Sequence, residues 1–247
     1  MEKTRIYVYL FLSKAKGMVI KMKAFIIDFN GTLFMDTAFH TKAWQEIYKE
    51  LHPGEGDGPD GNFYCGPRND VLIERIAPWL TPQKRQEVSK HKEEIYRKIC
   101  EENPEQVRLV KGTEEFLKKL QEKKIPFILA SASIKENIDF YFKTFALDRW
   151  FDKKETVYDD GTYAHKGAMH IEAAKRLGVE ISECIVIEDS VSAITHAKEV
   201  GAGCVIGIGK EENRDKIVSL GVDCFICDFS ELNFRYFLNK NEKSFKL

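Results

Sequence analysis

The sequence has no long apolar run. Its N-terminal one, Ile6 to Leu12, is far too short to span a bilayer. No small-residue cleavage site follows it that would mark a secretory signal. Residues 1–21 are therefore expected to be an N-terminal extension. An excess of either charge is also missing: 38 Lys and Arg stand against 39 Asp and Glu, a net charge of −1. That removes the electrostatic reason to expect nucleic acid or an anionic membrane as a partner. Cysteines in metal-binding arrays are missing too. Of the six, at positions 65, 100, 184, 204, 224 and 227, only Cys224 and Cys227 have a ligand-like spacing. They sit in the strand-like stretch "GVDCFICDF" with no second pair nearby, so they read as core thiols. Reduced thiols fit a cytoplasmic protein. There is no internal repeat and no low-complexity tract.

What is present is a chain of 247 residues with ordinary apolar and charged content, enough for one large domain or a core with an insert. Five short runs rich in β-branched and aromatic residues read as buried strands: Ala24–Phe29, Pro126–Ala130, Cys184–Glu188, Gly203–Gly207 and Val222–Cys227. Helical patterns at Thr113–Glu122, Lys166–Leu177, Val191–Val200 and Glu211–Leu220 separate the later runs. This alternation predicts an α/β fold, a doubly wound Rossmann-like parallel sheet covered on both faces. The first and second strands lie too far apart in sequence for a crossover loop. Helical patterns at Ala38–Leu51, Asn69–Ile76 and Pro82–Cys100 fill the gap. The expectation is an inserted α-helical cap domain, 38–103, in a core formed by 22–37 and 104–247. The Gly- and Asp-rich stretch His52–Asn62 lacks calcium-ligand spacing and is expected to be a flexible loop.

In an open parallel sheet, ligands sit outside the carboxyl ends of the strands. After the first strand come Asp28, Asn30, Gly31 and Thr32; after the second, Ser131, Ala132 and Ser133; at the end of the third, Glu188, Asp189 and Ser190, with Lys166 ahead of it. Hard carboxylate oxygens suit Mg²⁺, while a lysine, a hydroxyl and backbone N–H groups suit phosphate oxygens.

Four motifs in order, "DFNGTL", "ILASAS", Lys166 in "AHKGAMHIEAAKRLGV" and "IVIEDSVSAITHAKEVGA", resemble those of the haloacid dehalogenase superfamily, most closely its β-phosphoglucomutase-like group with a helical cap. The resemblance runs from Lys23 to about Leu232. It implies a Mg²⁺-dependent phosphohydrolase of small phosphorylated metabolites, sugar phosphates among them, working as a monomer. Asp28 would be the nucleophile that forms an aspartyl-phosphate. Asp28, the backbone carbonyl of Asn30 and Asp189 would hold the metal, with Glu188 nearby. Ser131, the Ala132 N–H and Lys166 would hold the phosphoryl oxygens, with Gly31 beside them. In the cap, "FHTKAW" places His40 at a hinge or substrate position and Trp44 in core packing. "CGPRNDVL" offers Arg68 and Asn69 to the distal part of a substrate. Lys92 matches a phosphate-binding cap lysine, although a surface lysine on a charged helix is the stronger reading.

One acid is missing. The family has Asp two residues after the nucleophile, where it passes protons to and from the reacting oxygens. Such a group supplies about a hundred- to ten-thousandfold in rate. Asn30 cannot do this. Three readings stay open: a phosphatase in which water, His40 or a favourable leaving group replaces the acid, a β-phosphoglucomutase, and a non-catalytic binder. On the sequence, Asn30→Asp is expected to raise sugar-phosphate turnover, and the Asn30-Gly31 pair is a candidate for slow deamidation to Asp.

Overall fold

The structure, a computed structural model, describes residues 22–64 and 68–232. The expected N-terminal extension and Cys65 lie outside them. Six parallel strands, β1 (Ala24–Ile27), β2 (Phe127–Ser131), β3 (Val157–Tyr158), β4 (Cys184–Glu188), β5 (Cys204–Ile208) and β6 (Cys224–Ile226), form one sheet in the order β3-β2-β1-β4-β5-β6. β1, β4 and β5 are buried at every residue, which is why they read as nearly unbroken apolar runs.

Alternation along β1 divides the core. Phe25 and Ile27 pack with Phe116, Leu117 and Leu120 of α4 (Thr113–Glu122) and with Tyr141, Phe142 and Phe145 of α5 (Lys135–Phe145). Ala24 and Ile26 pack with Met169 and Ala173 of α6 (Lys166–Arg176) and with Ile194 and Ala197 of α7 (Val191–Glu199). The period of two along a strand makes this two-sided burial possible.

Between β1 and β2 run α1 (Thr37–Leu51), α2 (Asn69–Ile76) and α3 (Pro82–Glu102). They share their own apolar cluster, in which Trp44 stacks on Tyr64 beside Ile47, Leu72, Ile73 and Ile76. Thr81 caps α3, its Oγ1 accepting from the Lys84 N–H at 3.3 Å, with Pro82 in the first turn.

Several expectations change. A sixth strand, β3, is too short to leave an apolar run in sequence; it is defined by pairing of Val157 and Tyr158 with Ala130 and Ser131. Helix α5 was not anticipated, although Ile138, Tyr141, Phe142 and Phe145 have helical spacing. The last helix is only Arg214–Ser219 (α8), because Glu211–Asn213 form a 3₁₀ turn. The 52–62 stretch, exposed over most of its length, touches its surroundings at a few points: His52 Nε2 meets the Ile76 carbonyl at 2.8 Å, the Tyr48 hydroxyl donates to Glu55 at 3.1 Å, and Lys49 pairs with Asp57 at 2.9 Å. Lys92 is not a surface lysine. It is 2% exposed, with Nζ 2.8 Å from Glu93 Oε1 and 2.6 Å from His40 Nδ1.

The five described cysteines are unpaired. Cys224 is buried in β6; the Cys227 thiol donates to Glu211 at 3.2 Å, and burial with that acceptor pushes its pKa up to about 11. No helix among the described residues is long and apolar enough to cross a membrane.

Candidate active site

β1 lies between β2 and β4, so the chain leaves the sheet centre in opposite directions, the switch point at which open parallel sheets carry their ligand crevice, outside the carboxyl ends of the strands. Asp28 is the first residue beyond β1, Ser131 ends β2, and Glu188 ends β4 with Asp189 following. Lys166 opens α6 and turns its Nζ to Asp28 Oδ1 at 2.5 Å and to Glu188 Oε1 at 3.3 Å. Carboxylate oxygens of Asp28, Glu188 and Asp189 lie within 4.8 Å of one another.

The turn after β1 makes this approach possible. Its N–H groups at Thr32, Leu33 and Phe34 converge on the Phe29 carbonyl at 3.2, 2.8 and 3.0 Å. Gly31 takes φ +70°, and a Cβ there would lie 2.0 Å from Asp189 Oδ2. Only glycine serves at this position, for conformation and for space together. Gly31, expected beside the substrate's phosphoryl oxygens, has its N–H donating to the Phe34 carbonyl at 2.7 Å and to Asp36 Oδ1 at 3.1 Å.

The charges do not balance. Burial, then the neighbouring Glu188, raises the Asp28 pKa to about 7 against the pull of Lys166. Burial, then Asp28 and Glu188, raises Asp189 well above the usual carboxylate range. For Glu188, burial is outweighed by Lys166 and by His170, whose Nε2 lies 2.9 Å from Oε1, and the net shift is downward. For Lys166, burial is outweighed by Asp28 and Glu188, which raise its pKa. Three converging carboxylates against one ammonium form a hard oxygen donor set that fits a small divalent cation.

Asn30 is fully engaged. Its amide nitrogen donates to Asp36 Oδ2 at 2.5 Å and to the Tyr141 hydroxyl at 2.8 Å. Its oxygen accepts from Ser131 Oγ at 3.1 Å and Ser133 Oγ at 2.7 Å. The carboxylate of Asp36 can only accept, which fixes which way the amide faces. Asp36 is the residue before α1, yet it makes no side-chain capping bond. Its carboxylate instead accepts from Gly31, Asn30, the Tyr96 hydroxyl at 2.7 Å and His40 Nε2 at 3.3 Å. Burial pushes its pKa up, but His40, Tyr96 and Asn30 together bring it below the usual value.

The crevice thus gathers Asp28, Asn30, Gly31, Ser131, Lys166, Glu188 and Asp189. Ala132 stands exposed at its rim. His40 lies one step back, stacked on Tyr96 and held between Asp36 and Lys92. Arg68 is exposed and pairs with Asp70 at 3.2 Å. Asn69 turns inward to Ser89 at 3.1 Å and Glu93 at 2.8 Å. Glu93 also accepts from Asn137 of α5 at 2.7 Å, and Arg97 donates to Asn137 at 2.6 Å, so α3 is joined to the core by polar bonds. The sequence reading gave Ser133 a place after the second strand but no role, and did not identify Asp36, Tyr96, Tyr141 or His170 as site residues. Of these four only His170 left a signal, its spacing of four from Lys166 on one helix face.

A family model for haloacid dehalogenase-like hydrolases matches residues 22–201, and the chain belongs to that family. It is 30% identical to the Bacillus subtilis (strain 168) protein YhcW, provisionally named a phosphatase, over 75% of this chain and 83% of that one. Among solved structures, the family IA, variant 3 HAD hydrolase from Entamoeba histolytica HM-1:IMSS superposes with a TM-score of 0.81 at 29% identity, covering 88% of this chain and 98% of that one. β-Phosphoglucomutase (pgmB) from Clostridium difficile superposes with a TM-score of 0.70 at 21% identity over 91% and 100%, a likeness of fold.

Proposed function

We propose that this chain is a Mg²⁺-dependent phosphohydrolase that acts on a small phosphorylated metabolite through an aspartyl-phosphate on Asp28. The observation that carries the reading is the meeting of Asp28 with Lys166 at 2.5 Å opposite Glu188 and Asp189. The phosphatase name of a relative 30% identical to this chain supports it. Asp28, Asp189 and the backbone carbonyl of Asn30 would hold the cation, with Glu188 steadying Lys166. When bound, Mg²⁺ would neutralise phosphoryl charge that otherwise repels the nucleophile. Asp28 attacks phosphorus. Lys166 then holds a phosphoryl oxygen, aided by the Ala132 N–H and by Ser131. The helices of 38–103 act as a cap that excludes water from the crevice. Asn30 weighs against the mutase reading, because moving a phosphoryl group between sugar hydroxyls requires proton transfer in both directions. The unpaired cysteines suit a reducing, cytoplasmic setting.

Release of inorganic phosphate from a panel of phosphate esters, with Mg²⁺ and with chelator, tests the proposal. Turnover is expected to require both Mg²⁺ and Asp28. Full activity in chelator or in Asp28→Ala overturns it. Phosphate retained on the sugar would instead identify a mutase, and no turnover of any ester would identify a binder.

A further inference from the structure

Hydrolysis through Asp28 has two halves with different proton requirements. In the first, an Asp28 oxygen bonds to phosphorus, and the bond from phosphorus to the leaving oxygen breaks with its electron pair. A carboxylate or phenolate leaves as a stable anion and needs no proton, whereas a sugar alkoxide does. In the second, a water oxygen bonds to phosphorus, the phosphorus–Asp28 bond breaks, and its electron pair returns to the carboxylate. The attacking water must give up a proton, and a positioned base accelerates such a step by about a hundred- to ten-thousandfold.

The side chains around Asp28 are already committed or shut away from water: His170 Nδ1 has no hydrogen-bond partner, but the residue is fully buried. The Asn30 amide is not a base, and its nitrogen and oxygen each hold two partners. Asp36 Oδ1 accepts from Gly31, and Oδ2 from Asn30, Tyr96 and His40. The ring nitrogens of His40 face Asp36 and Lys92. Glu188 Oε1 faces Lys166 and His170, and Glu188 and Asp189 complete the metal cluster with Asp28. Among the described residues, then, the carboxylates and imidazoles grouped here are either hydrogen-bonded to one another or belong to the metal set. The water of the second step has no dedicated acceptor for its proton, while the first step proceeds unaided if the leaving group is good.

We infer that this chain is a slow-release phosphoryl carrier: acyl phosphates load Asp28 quickly, and the aspartyl-phosphate is its resting covalent state. The inference rests on the reading of Asp28 as nucleophile and adds to it the class of donor and the identity of the slow step. Sugar phosphates load Asp28 slowly, because their alkoxide leaves without help.

Two probes test it on the full chain with Mg²⁺. With p-nitrophenyl phosphate in a stopped-flow instrument, nitrophenolate is expected in a burst of about one equivalent per chain, followed by a steady state at least about a hundredfold slower. With acetyl phosphate, intact mass analysis is expected to find one added phosphoryl group, removed by hydroxylamine and located on Asp28. Linear release without a burst, together with unmodified mass, overturns the inference and leaves hydrolysis through Asp28 standing. No release and no label from either donor overturns the nucleophile reading, and the inference with it. The exchange variant Asn30→Asp/Asp36→Asn keeps an amide facing a carboxylate but moves the acid beside Asp28. It is expected to shorten the phosphoenzyme lifetime by about a hundredfold or more; an unchanged lifetime refutes the missing base as the cause. The burst in the unmodified chain decides the main point whether or not that variant folds.

Discussion

Asn30→Asp puts a carboxylate where an amide donates to Asp36 Oδ2 at 2.5 Å. Two acids then face each other in a buried setting, and the donated bonds to Asp36 and to the Tyr141 hydroxyl are lost. Like charges about 4 Å apart, at an effective dielectric constant of about 20, repel by about 4 kcal/mol. The pair escapes by keeping one proton. At about 1.4 kcal/mol per unit, that corresponds to a pKa raised by about 3 units, from about 4 in the unfolded chain to about 7. The folded variant therefore binds more protons than the unfolded one across that window, so its stability falls as pH rises. The deficit relative to the parent should be small near pH 4, grow through the window, and reach about 4 kcal/mol above about pH 7. Urea unfolding in chelator near both ends of the window measures it. Equal stability of variant and parent at the alkaline end, or a deficit that does not change with pH, refutes the reasoning. Asn30→Asp/Asp36→Asn removes the facing charges and should recover part of the loss, the remainder being the bonds from Tyr96 and His40 that an amide nitrogen in place of Asp36 Oδ2 cannot accept. The same contacts attach a stability cost to a substitution that sequence alone marks as a simple gain of a catalytic acid.

Gly31→Ala should lower stability by about 1–3 kcal/mol, from φ +70° and a Cβ 2.0 Å from Asp189 Oδ2, and should weaken Mg²⁺ binding measured by calorimetry; an unshifted melting temperature with intact binding argues against it. For Glu93, burial is outweighed by Lys92 and His40, which hold its pKa at about 2 against 4.5 unfolded. Its folded pKa is depressed, so the stability it contributes, about 3 kcal/mol, is present above 4.5 and lost as pH falls towards about 2. Glu93→Gln should flatten that acid limb in urea titrations, and an unchanged slope would locate the titration elsewhere. Arg68→Ala, at an exposed side chain, should alter turnover of sugar phosphates more than of p-nitrophenyl phosphate. Asn69→Ala removes bonds to Ser89 and Glu93 and should instead lower stability by about 1–3 kcal/mol; equal kinetic losses at both positions would refute this division. Deamidation of Asn30, followed by peptide mass analysis, should be slower in the folded chain than in a peptide, because the Gly31 nitrogen that must attack is held by Phe34 and Asp36; equal rates would count against that protection.

Legibility followed the range of the interactions. Strands such as β4 and β5 leave an apolar run because parallel strands are buried on both faces, and α2 and α4 carry their periodicity within one segment. β3 could not be read, since its two residues are strand only through Ala130 and Ser131. Lys92 is a lysine on a charge-rich helix until α1 and α3 pack together and enclose its ammonium among His40, Glu93 and the Trp44 ring.

The sequence by itself determined the order of the five longer strands and of the helices other than α5, and the placement of Asp28, Ser131, Lys166, Glu188 and Asp189 near strand ends or helix starts, because local periodicity and motif spacing are written along the chain. It also determined that position 30 is an amide. Only the tertiary structure decided what that amide does. Asp36 lies 6 residues away, Ser131 is 101, Ser133 is 103 and Tyr141 is 111. Partners so far apart are chosen by the pairing of β1 with β2 and the docking of α5, and a buried carboxylate that can only accept hydrogen bonds takes a nearby side-chain amide that can donate.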